Sequence, residues 1–357
     1  YEIMPSLVGS EMCIRDSLLP MVVDYLIWFS PSLLFTLLIA VALFAIRLDG
    51  APKLAMWCSV IAAIVNIILD WLFIFPLGWG VMGAALATSI SCLAGAAVAV
   101  IYLLFYAQTV RLRALHFDKH RVRFFFRNMG AQCKIGSSAL LGEMTMAVLL
   151  FVGNHIFMRY LGDDGVGAFG VSCYYLPFVF MIGNAIAQSA QPIISYNFGT
   201  GNKDRVGSAF RVSLVAVLFC GLVSTSAFVL FPQLLVGLFL PLDNAAAHIA
   251  INGFPYYGIG FAFFILNLSA IGFYQSVERV KPATTFALLR GFIFLIPCFI
   301  ILSEAIGTKG IWLALPLSEI STTAMIVMYF FYKHSNLKLS YLSLIHISEP
   351  TRLGMIS

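Results

Sequence analysis

A single carboxylate, Asp70, lies within an otherwise uncharged stretch that runs from Asn66 to Thr88. A charged side chain near the centre of a bilayer costs about 2.5–3.5 kcal/mol on insertion scales, so nearby groups must offset that cost. Asn66 precedes Asp70 by one helical turn, and its amide is predicted to reach the carboxylate on the same helix face. An acid, an amide and the Thr88 hydroxyl at one depth would form a site for a proton or a small cation such as Na⁺.

The depth of these residues follows from the turn at 76–80, which reverses the chain. Thr88 follows this turn by about as many residues as Asp70 precedes it, and at about 1.5 Å per residue the two lie at similar depth. An interhelical hydrogen bond that only fixes packing would use the same residues. The spacing alone leaves both interpretations open.

Three charged side chains, Glu143, Arg290 and Glu319, form a second polar set in the C-terminal half. Glu143 and Arg290 each lie about eight residues from the same end of their predicted helices, hence at a depth of about 12 Å. Two acids and one arginine buried together predict an ion pair plus one carboxylate that is free to titrate. The alternative is a structural Glu143–Arg290 lock between helices.

Amide side chains form a third set. Asn184, Gln188 and Gln191 fall at i, i+4 and i+7 on one helix face, and Asn267 lies in another apolar stretch. All four are predicted to line a cavity for substrate, although small and polar faces also pack helices.

Composition determines the fold class. Hydrophobic residues make up 61% of the chain and charged residues 10%, with a mean hydropathy of +0.95, which predicts an all-α, polytopic transmembrane helix bundle. The seven cysteines are scattered singly, and neither metal-ligand spacing nor a GxxxxGK[ST] nucleotide loop occurs. We therefore expect no cofactor, no enzymatic activity and an ion gradient as the energy source. The predicted spans are 20–46, 53–75, 81–106, 135–160, 165–196, 207–231, 248–275, 282–303 and 309–332.

Loop charges predict the orientation of these spans. If the basic loop at 108–134 is cytoplasmic, sixteen basic residues lie on the cytoplasmic side and only Arg159 and Lys309 lie outside. This bias places the C-terminus in the cytoplasm. The net charge of +5 is thus explained by topology, and no nucleic-acid partner is expected.

An internal repeat is visible at an offset of 230 residues, which aligns Pro52 with Pro282 and Gly80 with Gly310. The first three helices would then correspond to the last three in the same orientation, as in a parallel repeat. Residues 1–17, and those from about 344 to the end, resemble translated sequencing-adapter sequence and are not expected to belong to the fold. The predicted segments are 1–17, 18–107 (three helices of a first lobe), 108–134 (basic cytoplasmic loop), 135–335 (a six-helix second lobe) and 336–357 (cytoplasmic tail).

The segments 47–88 (RLDGAPKLAMWCSVIAAIVNIILDWLFIFPLGWGVMGAALAT) and 188–206 (QSAQPIISYNFGTGNKDRV) resemble signatures of the multidrug and toxic compound extrusion (MATE) family. The resemblance implies twelve helices in two six-helix lobes that rock around a central cavity, driven by Na⁺ or H⁺. It implies that Asn66, Asp70 and Thr88 belong to the first lobe's cation site, and it supports an acidic site at Glu143. It also implies that about three helices, one with a further carboxylate, would precede Leu18, so that nine of twelve helices are present.

On this resemblance we expect a monomeric antiporter of the bacterial cytoplasmic (inner) membrane that exports small organic cations or drugs by alternating access. Two alternatives remain open. One is a flippase for lipid-linked oligosaccharide in the same broad superfamily, and the other is an inactive truncated fragment.

Overall fold

The computed structural model describes the backbone of residues 4–110 and 119–347 and the side chains of 19–110 and 123–333. Within these ranges the chain is helical and contains no strand, as the sequence predicts. The helices are α1 (Met4–Leu48), α2 (Pro52–Ile74), α3 (Gly80–Ile101, continued by a π-helical turn Tyr102–Tyr106), α4 (Lys119–Gly199), α5 (Lys203–Leu230), α6 (Pro232–Gly237), α7 (Ala245–Ser276), α8 (Val280–Leu288, followed by a π-helical turn Leu289–Ile293), α9 (Leu295–Ile306) and α10 (Thr308–Ile347).

Eight helical segments among the described residues are long and apolar enough to cross a membrane. One of them, Arg123–Gly199, has 77 residues and is interrupted at Gly162, whose φ of 64° and ψ of −154° are not helical. Phe157 stacks on Phe169 with ring centroids 4.6 Å apart, whereas a straight helix would separate them by about 18 Å. The chain therefore reverses at Gly162. Counting its two arms separately, the described part of the chain has nine candidate membrane spans, the number predicted.

The chain divides into two compact units, Tyr1–Asp118 and Lys119–Ser357, and the boundary falls inside the predicted inter-lobe loop. Residues 111–118 of that loop lie outside the described residues. The loop prediction is wrong for its second part, because α4 already begins at Lys119. The adapter-like ends lie outside the residues whose side chains are described, as does the predicted tail.

In the first unit, α1 and α2 pack on a face of α3 that consists of small residues. A Cβ atom at Gly95 would lie 2.7 Å from Ile39 Cδ1 on α1 and 3.0 Å from Ala62 Cβ on α2. Only glycine allows three backbones to approach so closely, as is common between membrane helices. Asn66, Asp70 and Thr88 are thereby held on α2 and α3, which contact each other.

The turn after α1 is tied to the end of α3 by Asp49. Its carboxylate accepts the backbone N–H of Thr109 at 2.6 Å, those of Gln108 and Val110 at 3.1 and 3.2 Å, and the Tyr102 hydroxyl at 2.9 Å. The Thr109 bond contributes most to holding the pKa of Asp49 at about 2. The carboxylate is therefore ionised at physiological pH, and it fixes the residues that lead into the linker.

In the second unit, α7 is the central helix and is buried along most of its length. Cβ atoms at Gly221 of α5 and Gly260 of α7 would each lie 2.9 Å from the Cα of their neighbours, Ala262 and Pro316. The α4 arm at 163–199 packs on α7 in the same way at Gly183. Side chains that α7 directs toward α10 are thus far from lipid and from water.

The internal repeat is visible in the two turns that follow α1 and α7. In each turn a residue with positive φ, Gly50 (88°) or Glu278 (56°), donates to the carbonyl three residues earlier. The next residue donates to the carbonyl five residues earlier. These turns are 228 residues apart, so two residues are added before Pro282 restores the offset of 230.

Candidate ion site and buried polar cluster

The predicted cation site in the first unit contains two polar atoms without partners. Asn66 and Asp70 are half-buried on α2, one turn apart. Asp70 Oδ1 and Asn66 Nδ2 are shielded from solvent, and neither forms a hydrogen bond with the described residues. The predicted bond between amide and carboxylate is therefore absent. Thr88 donates its hydroxyl to the Ala84 carbonyl of its own helix at 3.0 Å, so hydrogen bonds do not join the three residues.

A carboxylate oxygen without a partner in an apolar surrounding is costly, and a proton or a cation removes that cost. The oxygen atoms of Asp70, Asn66 and Thr88 are hard ligands of the kind that Na⁺ accepts. Within the described residues no group of three or more His, Cys, Asp and Glu side chains could hold a metal ion. Any ion bound here would thus depend on a single carboxylate supplemented by neutral oxygens.

The second unit contains a buried ion pair between Arg290 and Glu319. Arg290 Nε lies 2.6 Å from Glu319 Oε1, and the two side chains are 0% and 1% exposed. Asn267 donates its amide to Glu319 Oε2 at 2.7 Å and to the Glu319 carbonyl at 2.9 Å, and it accepts the Thr323 hydroxyl at 2.9 Å. Both carboxylate oxygens of Glu319 therefore have partners.

The π-helical turn Leu289–Ile293 carries Arg290 into this cluster. Its guanidinium lies 4.0 Å from the centre of the Phe264 ring, a cation–π distance, while Nη1 and Nη2 are buried without hydrogen bonds to the described residues. Gly291 leaves room for Thr145 of α4, because a Cβ atom at that position would collide with the Thr145 side chain. The inserted residue of a π-turn often marks a functional site.

Glu143 does not join the buried cluster, which corrects the prediction of two buried acids. Its side chain is exposed on α4, and it interacts with Arg290 electrostatically without forming an ion pair. The reason is that Glu143 lies on the opposite side of the helix from the buried residues. Ser138, Thr145 and Leu149 mark the buried face of this arm. Glu143 lies two residues before Thr145 and is therefore rotated about 200° from Thr145, at about 100° per residue.

The predicted cavity residues separate into different environments. Asn267 is wrong as a cavity residue, because it is 0% exposed and bound to Glu319. The Gln191 side chain is also engaged by other residues. Its amide donates to Gln275 at 3.0 Å, and Gln275 donates to Ser138 at 3.0 Å. Asn184 and Gln188 are half-buried and have no hydrogen bond within the described residues.

The sequence did not predict Thr323 in this cluster, the contact of Phe264 with Arg290 or the Gln275–Ser138 bridge. Thr323 follows Glu319 by four residues, a spacing that places both on one helix face. The spacing alone could therefore have predicted that Thr323 lies beside Glu319. The other contacts join different helices and have no counterpart in local spacing.

Comparison with known proteins is consistent with this architecture. The MatE family model matches residues 139–300. "Multidrug export protein MepA" of Staphylococcus aureus (strain bovine RF122 / ET3-1) is 27% identical over 294 residues, which cover 79% of this chain and 61% of MepA. MepA of Staphylococcus haemolyticus (strain JCSC1435) is 26% identical over 340 residues, covering 92% of this chain and 71% of that protein. Over the residues that these comparisons cover, the chain is similar to proteins of the MATE family.

Solved structures show the same fold. A MATE transporter described as an "outward-facing conformation" of the MOP superfamily superposes with a TM-score of 0.76 at 17% identity, covering 88% of this chain and 70% of that one. A MOP superfamily transporter from Pyrococcus furiosus, described as having a binding pocket of reverse polarity, gives a TM-score of 0.71 at 15% identity, covering 89% and 78%. The chain is a multi-pass membrane protein that spans about 61% of the length of the Staphylococcus aureus MepA proteins.

Proposed function

We propose that this protein is a MATE-type transporter that exports organic cations in exchange for Na⁺ or H⁺, and that Asp70 carries the coupling ion. The observation that carries the proposal is the buried, unpaired Oδ1 of Asp70, one turn from an unpaired Asn66 amide. The multidrug-export names of its relatives support the substrate class. The proposed location is the bacterial cytoplasmic membrane with the C-terminus inside, since sixteen basic residues lie on that side and two on the other.

Coupling follows from a difference in affinity between two conformations. A proton or Na⁺ at Asp70 removes the unfavourable free energy of an unpaired carboxylate, and it stabilises whichever conformation shields that carboxylate more fully from water. Substrate that binds the opposite conformation more tightly is then exchanged for the ion. In this mechanism the first unit binds the ion, and the Arg290–Glu319 ion pair maintains the structure of the second unit.

The test is efflux of ethidium from proteoliposomes under separately imposed Na⁺ and pH gradients. Because the chain spans 61% of MepA, it is assayed both alone and joined to the part of MepA that the alignment leaves uncovered. Asp70→Asn keeps the side-chain shape and removes the titratable charge, and we expect gradient-driven efflux to fall by about 5- to 150-fold.

The matched control is Asp163→Asn, the same chemical change at an exposed position next to Gly162. We expect it to leave efflux unchanged. If Asp70→Asn transports as fast as the unsubstituted protein under either gradient, Asp70 does not carry the coupling ion.

A further inference from the structure

The second unit has a cavity with cationic side chains at the ends of its helices, and the proposed transport cycle does not use it. The cavity has a volume of about 360 Å³. Lys203 at the start of α5, Arg279 in the turn after α7 and Lys333 on α10 all line it. These three elements are far apart in the sequence and converge only in the folded unit. Their end of the unit is the one that loop charges predict to be cytoplasmic.

No acid neutralises this cluster within the part of the chain whose side chains are described. The Arg290–Glu319 pair is the one ion pair found there within 4.0 Å. Asp204 and Glu278 are the sequence neighbours of Lys203 and Arg279, yet neither pairs with a cavity cation. The three cations line one cavity and repel one another as like charges, so a ligand that carries negative charge would relieve the repulsion.

The walls of the same cavity are mostly apolar and aromatic. Phe198, Val206, Phe273, Val277 and Phe330 line it beside the three cations. A small, fully hydrated anion would gain little from these walls. A ligand with an anionic head and an apolar body satisfies both parts of the surface.

A second cavity provides space for such a body. It measures about 620 Å³, and Asn197 lines both cavities. The second cavity lies between α4 and α5 and carries one charged side chain, Arg205. Its other walls are apolar or small and include Ala190, Ala209 and Val212. The two neighbouring cavities thus match the two parts of a phospholipid, because three cations line the first and mostly apolar or small side chains line the second.

We propose that Lys203, Arg279 and Lys333 bind the phosphate of an acidic phospholipid of the cytoplasmic leaflet, and that an acyl chain lies between α4 and α5. Basic side chains close to the anionic leaflet attract acidic lipids, and each contributes about fivefold in affinity. The lipid would hold together helix ends that like charges otherwise push apart. This inference is independent of ion coupling, because lipid binding is measured without transport.

The experiment is native mass spectrometry of the purified chain with four probes. These are dioleoyl phosphatidylglycerol, dioleoyl phosphatidylethanolamine, glycerophosphoglycerol and inorganic phosphate. We expect phosphatidylglycerol adducts to survive at collision energies that remove phosphatidylethanolamine. Glycerophosphoglycerol and inorganic phosphate should not displace the lipid.

The test variant is Lys203→Gln, Arg279→Gln and Lys333→Gln combined. The matched control, Arg127→Gln, Lys134→Gln and Arg211→Gln, removes the same charge from exposed positions that do not line either cavity. We expect phosphatidylglycerol affinity to fall more than about tenfold in the test variant, and to change less than about twofold in the control.

Single variants, each expected to lose about fivefold, keep the test valid if the triple variant does not fold. Ala209→Phe, which fills the second cavity, should also weaken phosphatidylglycerol. Equal lipid binding by test and control variants would overturn the proposal. So would phosphatidylethanolamine binding as tightly as phosphatidylglycerol, or displacement of the lipid by free phosphate, which would identify a soluble phosphate compound as the ligand.

Discussion

At the scale of single residues, two carboxylates that have buried oxygen atoms are in opposite states. Glu319 has partners for both of its oxygens, Arg290 for one and Asn267 for the other. Asp70 has a buried oxygen with none among the described residues. A carboxylate with a permanent arginine partner gains little from binding a proton or an ion, whereas an unpaired one gains much. This contrast is why we assign ion binding to Asp70 and a structural role to Glu319.

The Arg290–Glu319 pair predicts a strong dependence of each residue on the other. Arg290→Met leaves the Glu319 charge buried without a partner and should lower the free energy of unfolding by about 3–5 kcal/mol. Glu319→Gln leaves Arg290 unpaired and should act similarly. The double variant should be much less destabilised than the sum of the two, because it removes both charges.

The measurement is thermal or denaturant unfolding of the purified protein in detergent micelles, with Arg127→Met at an exposed position as control. Additive effects in the double variant would contradict a direct pair.

At the scale of helices, close approach is made possible by glycine at a few defined positions. Gly291 in the π-helical turn faces Thr145 of α4, and Gly260 of α7 faces Pro316 of α10. Membrane helices have little hydrophobic driving force between them and depend on such tight packing. The π-helical turn that positions Arg290 therefore requires a small residue at position 291, directly after Arg290.

Gly291→Ala tests this requirement. The added methyl group would collide with the Thr145 side chain, and we expect a loss of stability of about 1–3 kcal/mol. Thr145→Ala removes the atoms in closest contact and should recover part of that loss. Gly170→Ala is the matched control, since a Cβ atom there meets nothing within 4 Å. Its effect should be neutral or stabilising by up to about 1 kcal/mol. Unfolding midpoints in micelles are compared for Gly291→Ala, for Gly291→Ala combined with Thr145→Ala, and for Gly170→Ala. Equal behaviour of Gly291→Ala and Gly170→Ala would refute the packing argument.

At the scale of the whole molecule, the distribution of basic residues predicts which ends of the helices are cytoplasmic. Cys133 is exposed near the start of α4, and Lys309 is exposed at the start of α10. These residues lie on opposite sides of the membrane if α4 reverses at Gly162 as described. Orientation is thus accessible to chemical labelling.

In right-side-out membrane vesicles, a membrane-impermeant maleimide should label Lys309→Cys and leave Cys133 unmodified. The remaining six of the seven cysteines are replaced by alanine, and permeabilised vesicles confirm that Cys133 can react. The reverse labelling pattern would show the opposite orientation and would move the cluster of Lys203, Arg279 and Lys333 to the outer leaflet.

The sequence by itself determined the fold class and the number of crossings. A run of about 20 apolar residues must be helical in a bilayer, since every backbone N–H and C=O needs a partner there. The same argument singled out Asp70, Arg290 and Glu319, because a charge inside such a run is costly wherever its neighbours lie. Hydropathy and the free-energy cost of a buried charge are properties of a single segment, so both can be predicted from the local sequence.

Only the tertiary structure decided which of these groups meet. Whether Glu143 or Glu319 pairs with Arg290 depends on the rotation of each helix about its axis, and residues two apart differ by about 200°. Asn267 was therefore expected in a cavity and is instead bound to Glu319. Lys203, Arg279 and Lys333 similarly share a cavity because helix ends remote in sequence pack together, and local spacing carries no record of that packing.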